Sequence, residues 1–166
     1  NANNGTVFWS LNTLPSSMIH EADFFKSSEI VIDDKDIIFS VKSLIYSCNL
    51  DTGYINWKQN VSSVGTPIVD GQNIFIVTDN GYFVIIDKDI GRIISSTNIL
   101  NVLKKRKRET RITGFIMGSG KIYSTSSNGY LIVSSPVSGK VEYFKKIGDP
   151  IISAPIINNG KLYILT

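Results

Sequence analysis

Reactive side chains are few in this sequence of 166 residues, and they are scattered. His20 is its one histidine, which excludes a metal cluster built on several histidines. Cys48 is its one cysteine, which excludes an internal disulfide and any multi-cysteine metal site. Ser16, Ser17 and Asp23 supply the residue types of a Ser-His-Asp triad around His20. No nucleophile-elbow motif accompanies them, so an ordinary loop histidine is the favoured reading. The acids of Asp33-Asp34-Lys35-Asp36 and Asp87-Lys88-Asp89 offer the oxygen donors a hard cation wants. Both groups fall in apparent turns, where solvated charge is expected.

Two stretches suit binding better than catalysis. Lys104-Lys105-Arg106-Lys107-Arg108 is a run of five adjacent cations, which repel one another and favour a hydrated loop. Its functional reading is contact with an acidic partner surface or with anionic headgroups. Nucleic acid is not indicated, because no aromatics interleave with the run and the net charge is only +3. Glu21-Ala22-Asp23-Phe24-Phe25-Lys26 sets two aromatics beside acids, the composition of a docking patch with an apolar centre and a polar rim. One of the two phenylalanines can equally anchor the loop to the core.

What positions these stretches is a repeat. Four segments share glycine, any residue, valine or isoleucine, any residue, and usually an aromatic. They are Gly5-Thr6-Val7-Phe8-Trp9, Gly53-Tyr54-Ile55-Asn56-Trp57, Gly91-Arg92-Ile93-Ile94-Ser95 and Gly139-Lys140-Val141-Glu142-Tyr143. Their glycines lie 48, 38 and 48 residues apart, and the long intervals hold irregular stretches near 12–26 and 101–111. A period near 40 is that of a four-stranded propeller blade. Asp70-Gly71, Asn80-Gly81, Ser119-Gly120, Asn128-Gly129 and Asn159-Gly160 mark turns between short apolar runs. Two-residue hairpins of this kind are expected to place both central residues at φ > 0. In the unit at 28–61, Asp33 to Asp36 and Val41-Lys42 replace the glycine turns.

Ile74-Phe75-Ile76-Val77 and Phe83-Val84-Ile85-Ile86 are continuous apolar runs, so both faces of those strands are expected to be buried. Blades packed side by side do this, whereas a two-sheet sandwich, the second choice, leaves one wet face per sheet. The expected fold is therefore all-β: a β-propeller of four-stranded antiparallel blades, as a partial ring. Residues 1–166 form a single domain with a blade end at 5–11, blades at 28–61, 64–100 and 112–146, and the start of a further blade at 151–166. Helix is limited to a short turn near 99–106. Such a chain cannot close a standard ring unaided, so a larger propeller is expected. No apolar stretch approaches the roughly 18 to 20 residues that span a bilayer.

Leu50-Asp51-Thr52-Gly53-Tyr54-Ile55-Asn56-Trp57-Lys58 and Gly65-Thr66-Pro67-Ile68-Val69-Asp70-Gly71 resemble the PQQ-like repeat. Within that family the order of motifs through Ala154-Pro155-Ile156 and Leu162-Tyr163 is most similar to the C-terminal half of the BamB-type outer-membrane assembly lipoproteins. The resemblance implies that the glycine starts the outer-strand turn and that Trp9 and Trp57 dock between blades, with Tyr143 in the same part. It implies a non-catalytic scaffold without cofactor, in the periplasm and peripheral to the outer membrane through an anchor outside this sequence. Its implied partner is the barrel-assembly machine, held through inter-blade loops. Trp is replaced by Ser95 and Tyr143 in two of the four motifs, and Cys48 is no N-terminal lipidation site. The alternatives are part of a PQQ- and calcium-dependent dehydrogenase, since those enzymes share the repeat, and a generic propeller interaction module.

Overall fold

The four motif glycines occupy one turn, repeated. In the computed structural model, which describes residues 3–13 and 27–166 (for 105–108 the backbone alone), their φ angles are +70, +72, +69 and +68° for Gly5, Gly53, Gly91 and Gly139. In three of these turns the ring of main-chain bonds is the same. Gly53 N–H donates to the Asn49 carbonyl, Gly91 N–H to Asp87 and Gly139 N–H to Ser135, each at 2.9 Å. A side-chain oxygen at the head of the turn accepts a further main-chain N–H each time. Asn49 Oδ1 takes Thr52 N–H at 2.9 Å, Asp87 Oδ1 takes Asp89 N–H at 3.1 Å, and Ser135 Oγ takes Ser138 N–H at 3.2 Å. Short polar side chains cap turns in this way because they mimic a backbone acceptor.

Around these turns the described residues form three four-stranded antiparallel sheets and a hairpin. The first blade is β1 (Val31–Asp33), β2 (Asp36–Val41), β3 (Leu44–Asn49) and β4 (Ile55–Gln59). The second is β5 (Ile68–Asp70), β6 (Asn73–Val77), β7 (Tyr82–Asp87) and β8 (Ile93–Asn98). The third is β9 (Ile112–Gly118), β10 (Lys121–Ser126), β11 (Tyr130–Ser134) and β12 (Val141–Lys146), and β13 (Ile156–Asn158) pairs with β14 (Lys161–Tyr163). In each sheet the strands lie in chain order, the meander of a propeller blade. The sheets approach one another most closely near their first strands, at β1 with β5, β6 with β9 and β9 with β13. They therefore fan apart toward β4, β8 and β12.

The turns between strands depart from the simple expectation. Both central residues have positive φ at Ser119-Gly120 (+48 and +67°) and at Asn159-Gly160 (+50 and +71°). After β5 the hairpin is Gly71-Gln72, and Gly71 alone is left-handed, because Asp70 still pairs with Asn73 in the ladder. At Asn80-Gly81 and Asn128-Gly129 only the glycine has positive φ. The connection after β8 is a 3-10 segment, Ile99–Glu109, broken at Lys104 (φ +50°), and so longer than the short turn expected. Residues 5–11 keep the motif turn but form no strand, since no neighbouring strand pairs with them among the described residues.

The apolar runs of the middle blade are buried on both faces. Alternate residues of a strand point to opposite sides, and here each side meets a different blade. Ile74, Ile76, Val84 and Ile86 pack with Ile38, Ile45 and Trp57 of the first blade. Phe75, Val77, Phe83 and Ile85 pack with Phe115, Ile122 and Ile132 of the third. A β-bulge recurs on the fourth strand of every blade, opposite Ser47/Cys48, Ile85/Ile86 and Val133/Ser134. The extra residue sends the second and fourth residues after the glycine to opposite faces, which would otherwise share one. Ile55 thus faces solvent at 43% exposure while Trp57 turns inward at 9%.

Each inward indole lands on the next repeat. The Trp9 Nε1–H donates to the Leu50 carbonyl at 2.9 Å and the Trp57 Nε1–H to the Lys88 carbonyl at 2.7 Å, each acceptor three residues before a motif glycine. The glycine itself lies under the ring. A Cβ on Gly53 would sit 2.5 Å from Trp9 Cε3, and one on Gly91 would sit 2.4 Å from Trp57 Cδ2. Gly120 has the same left-handed φ but nothing within 4 Å. Gly91→Ala is therefore expected to lose about 2–5 kcal/mol of stability, left-handed strain plus overpacking. Gly120→Ala should lose only about 1–2 kcal/mol, the strain alone. Urea unfolding of the two variants measures the difference.

Candidate partner-binding surface

The inter-blade connections are where this architecture can vary without disturbing its sheets. Glu21, Asp23, Phe24 and Phe25, with His20, Ser16 and Ser17, lie outside the described residues. The cationic run lies on the 3-10 segment between the second and third blades, which is tied down at its start. Ile99, Leu100 and Leu103 are buried in the core those blades share, and Leu100 lies on Gly81. Lys104 is exposed at the break, and the backbone of 105–108 follows it. The segment runs beside β12, whose exposed Lys145 and Lys146 extend the basic surface. At its far end Glu109 shares a cleft with Asn128, Lys146 and Asp149.

The acidic turns do something the sequence does not announce. Asp33 at the tip of the first blade receives the Lys88 ammonium of the second, Nζ to Oδ2 at 2.6 Å, with the lysine side chain 16% exposed. The Lys88 carbonyl is also the acceptor for Trp57, so one residue carries both an indole bond and an ion pair across the same seam. Asp36 accepts from Asn56 Nδ2 at 2.8 Å. Asp87 is used in its own turn. Among the described residues no three of His, Cys, Asp and Glu converge on a point that could hold a metal ion. Among the described residues the acids therefore do not fit the calcium site of a quinone enzyme.

Other candidates resolve into packing. Cys48 is fully buried in β3, and burial pushes its thiol pKa up, away from the thiolate that reacts. Tyr46 stacks on Phe39 with ring centroids 5.4 Å apart. Tyr143 stands in the register of Trp9 and Trp57, and among the described residues it is 51% exposed. A polar cleft of about 460 Å³ opens between the first two blades, lined by Ser28, Glu29, Ser40, Lys42, Thr66 and Asp79. Thr66 Oγ1 donates across it to Glu29 Oε2 at 3.0 Å. No motif in the sequence marks that cleft, since its residues come from strand ends and connections of two repeats.

Lys88 gives this seam a pH signature. Its pKa is raised above the usual 10.5, first by the hydrogen bond to Asp33 and against the opposing effect of burial. A raised lysine pKa means that the fold favours the charged form. The stabilisation is then fully present below the unfolded value and disappears as pH rises through the folded one. Urea midpoints measured from about pH 9 to about pH 12 should fall more steeply in the native chain than in Lys88→Met. Parallel curves would show that the pair contributes nothing.

Comparison with known proteins agrees with this geometry. A family profile described as outer membrane protein assembly factor BamB matches residues 1–97, more than half of the chain. BamB from Moraxella catarrhalis superimposes with a TM-score of 0.64 at 15% identity, over 82% of this chain and 42% of that one. The computationally designed Ika8 protein gives 0.64 at 10% identity, over 81% and 41%. The quinohemoprotein alcohol dehydrogenase from Comamonas testosteroni gives 0.62 at 13%, over 77% and 24%. At these identities the structural likeness concerns the fold alone, and the chain spans less than half the length of each of these structures. No curated protein matches the sequence. With its profile match, its repeated glycine turn and its stacked four-stranded blades, the chain belongs to the PQQ-like repeat propeller family of outer membrane protein assembly factor BamB.

Proposed function

We propose that this chain is part of a non-catalytic propeller scaffold that holds a protein partner in outer-membrane β-barrel assembly through its inter-blade loops. It works in the periplasm at the outer membrane, attached through an anchor outside this sequence. The observation that carries this reading is family membership joined to the build of the seams. Cores on both faces of the second blade join it to its two neighbours in a stiff frame, and a stiff frame holds loops at fixed separations without ordering costs at each encounter. The surfaces offered to the partner are the loop with Glu21, Asp23, Phe24 and Phe25 and the basic run Lys104, Lys105, Arg106, Lys107 and Arg108. Aromatic centres supply affinity in such contacts, and charge supplies encounter rate and salt dependence.

The second reading, a quinone- and calcium-dependent dehydrogenase, draws support from fold likeness to quinohemoprotein alcohol dehydrogenases. Fold does not carry activity, and the paired acids here serve the seam and its turns. A generic interaction module differs from the scaffold only in its partner. Capture of the full-length protein by the periplasmic domains of the barrel-assembly machine tests the choice. Binding is expected, weakening at least about tenfold in Phe24→Ala/Phe25→Ala and becoming less salt-sensitive when residues 104–108 are changed to serine. Absence of capture, or dye reduction with added quinone and Ca²⁺, would overturn the scaffold reading.

A further inference from the structure

The seam between the second and third blades is built differently from the one before it. Between the first and second blades, Trp57 fills the outward-widening gap, resting on Gly91 and against Ile74, Ile76, Val84 and Ile86. One repeat later Ser95 stands in place of the indole, with its Oγ 3.0 Å from where a Cβ on Gly139 would be. Thr97 Oγ1 lies 3.2 Å from the same point. The wall opposite changes in step. In β6 and β7, Ile74 pairs with Ile86 and Ile76 with Val84. In β10 and β11 the same register pairs Ile122 with Ser134 and Ser124 with Ile132. Two isoleucines that face an indole in one seam are thus serines in the next.

Both serines are wholly buried, and neither hydroxyl has a hydrogen-bond partner among the described residues. Their direction follows from alternation. Ile122 and Ile132, two residues away on the same strands, belong to the core shared with the second blade, so Ser124 and Ser134 face that seam as well. Thr125, pointing the other way, bonds to the carbonyls of Gly114 and Ser153. The opposite end of the seam is closed by the 3-10 segment, whose Leu100 covers Gly81. Ser134 lies on the side of the Gly139 turn, where Ser95 has replaced the aromatic ring, and Ser124 stands one same-face pair further along the ladder.

A buried hydroxyl without a partner is costly, and two in one seam call for a shared one. The occupant must both donate and accept, and it must fit between diagonal positions on paired strands, whose Cα atoms stand roughly 7–8 Å apart. We propose that this seam is a hydration slot, holding ordered water on Ser124 and Ser134 with the hydroxyls of Ser95 and Thr97 toward its mouth. One or two waters, each donating and accepting, satisfy both serines. The same wedge-shaped gap is thus filled with an aromatic ring at one junction and with water at the next.

Two measurements on the full-length protein test this. A crystal structure at about 1.8 Å should show a water peak within hydrogen-bond distance, about 2.6–3.2 Å, of both Ser124 Oγ and Ser134 Oγ, or two linked peaks. An empty or apolar-filled slot would overturn the proposal. Thermal unfolding of Ser124→Ala, Ser134→Ala and the double variant, with folding checked by circular dichroism, gives the second. Each single change should lower the midpoint by about 2–4 °C, and the double change should cost little more than either, since both remove anchors of the same water. A rise in the midpoint of either single variant would mean dry, unpaired hydroxyls and would refute the slot. Fully additive losses would also count against it.

Discussion

A ring atom of one blade can touch the backbone of the next only where that backbone carries no Cβ. The sheets lie closest near their first strands and fan apart outward, so the gap between fourth strands must be filled by something long and wide. An indole is the largest side chain available, and its N–H reaches a carbonyl at the far side of the gap. The glycine that receives it is also the residue that permits the left-handed turn into the fourth strand. One residue type therefore meets two demands, a backbone angle and a close approach. The bulge beyond the turn meets a third by aiming the next indole inward.

From this contact the rest of the architecture follows. With the second blade pressed on both sides, its middle strands carry no wet face and read as unbroken apolar runs. The two cores of the second blade, divided residue by residue along β6 and β7, are one consequence. The ion pair between Asp33 and Lys88 is another, since docking of Trp57 on the Lys88 carbonyl brings the lysine to the neighbouring blade's first turn. Where the indole is missing, the seam is compensated. Buried aliphatic residues of the 3-10 segment close one end, and serines line the other.

Much of this was legible in the sequence, and the boundary of legibility is physical. Gly5, Gly53, Gly91 and Gly139 announced the repeat because a φ near +70° leaves glycine almost without competitors. Ile74 to Val77 and Phe83 to Ile86 announced two-sided burial because alternation was absent. The turn oxygens were less visible, since Asn49, Asp87 and Ser135 perform one task with three residue types. The Asp33–Lys88 pair and the buried Ser124 and Ser134 were invisible, for each depends on contacts between blades that no local pattern encodes. The partner-binding loops were legible only as composition.

Neighbouring repeats communicate through the indole and the glycine turn it covers. Amide hydrogen exchange in Trp57→Ala measures this directly. Protection should fall about tenfold or more at Lys88 and Gly91, in the blade that receives the indole, while the turn at Gly139 keeps its protection. If exchange instead quickened only within β4, where residue 57 itself lies, the blades would not be wedged together by this contact.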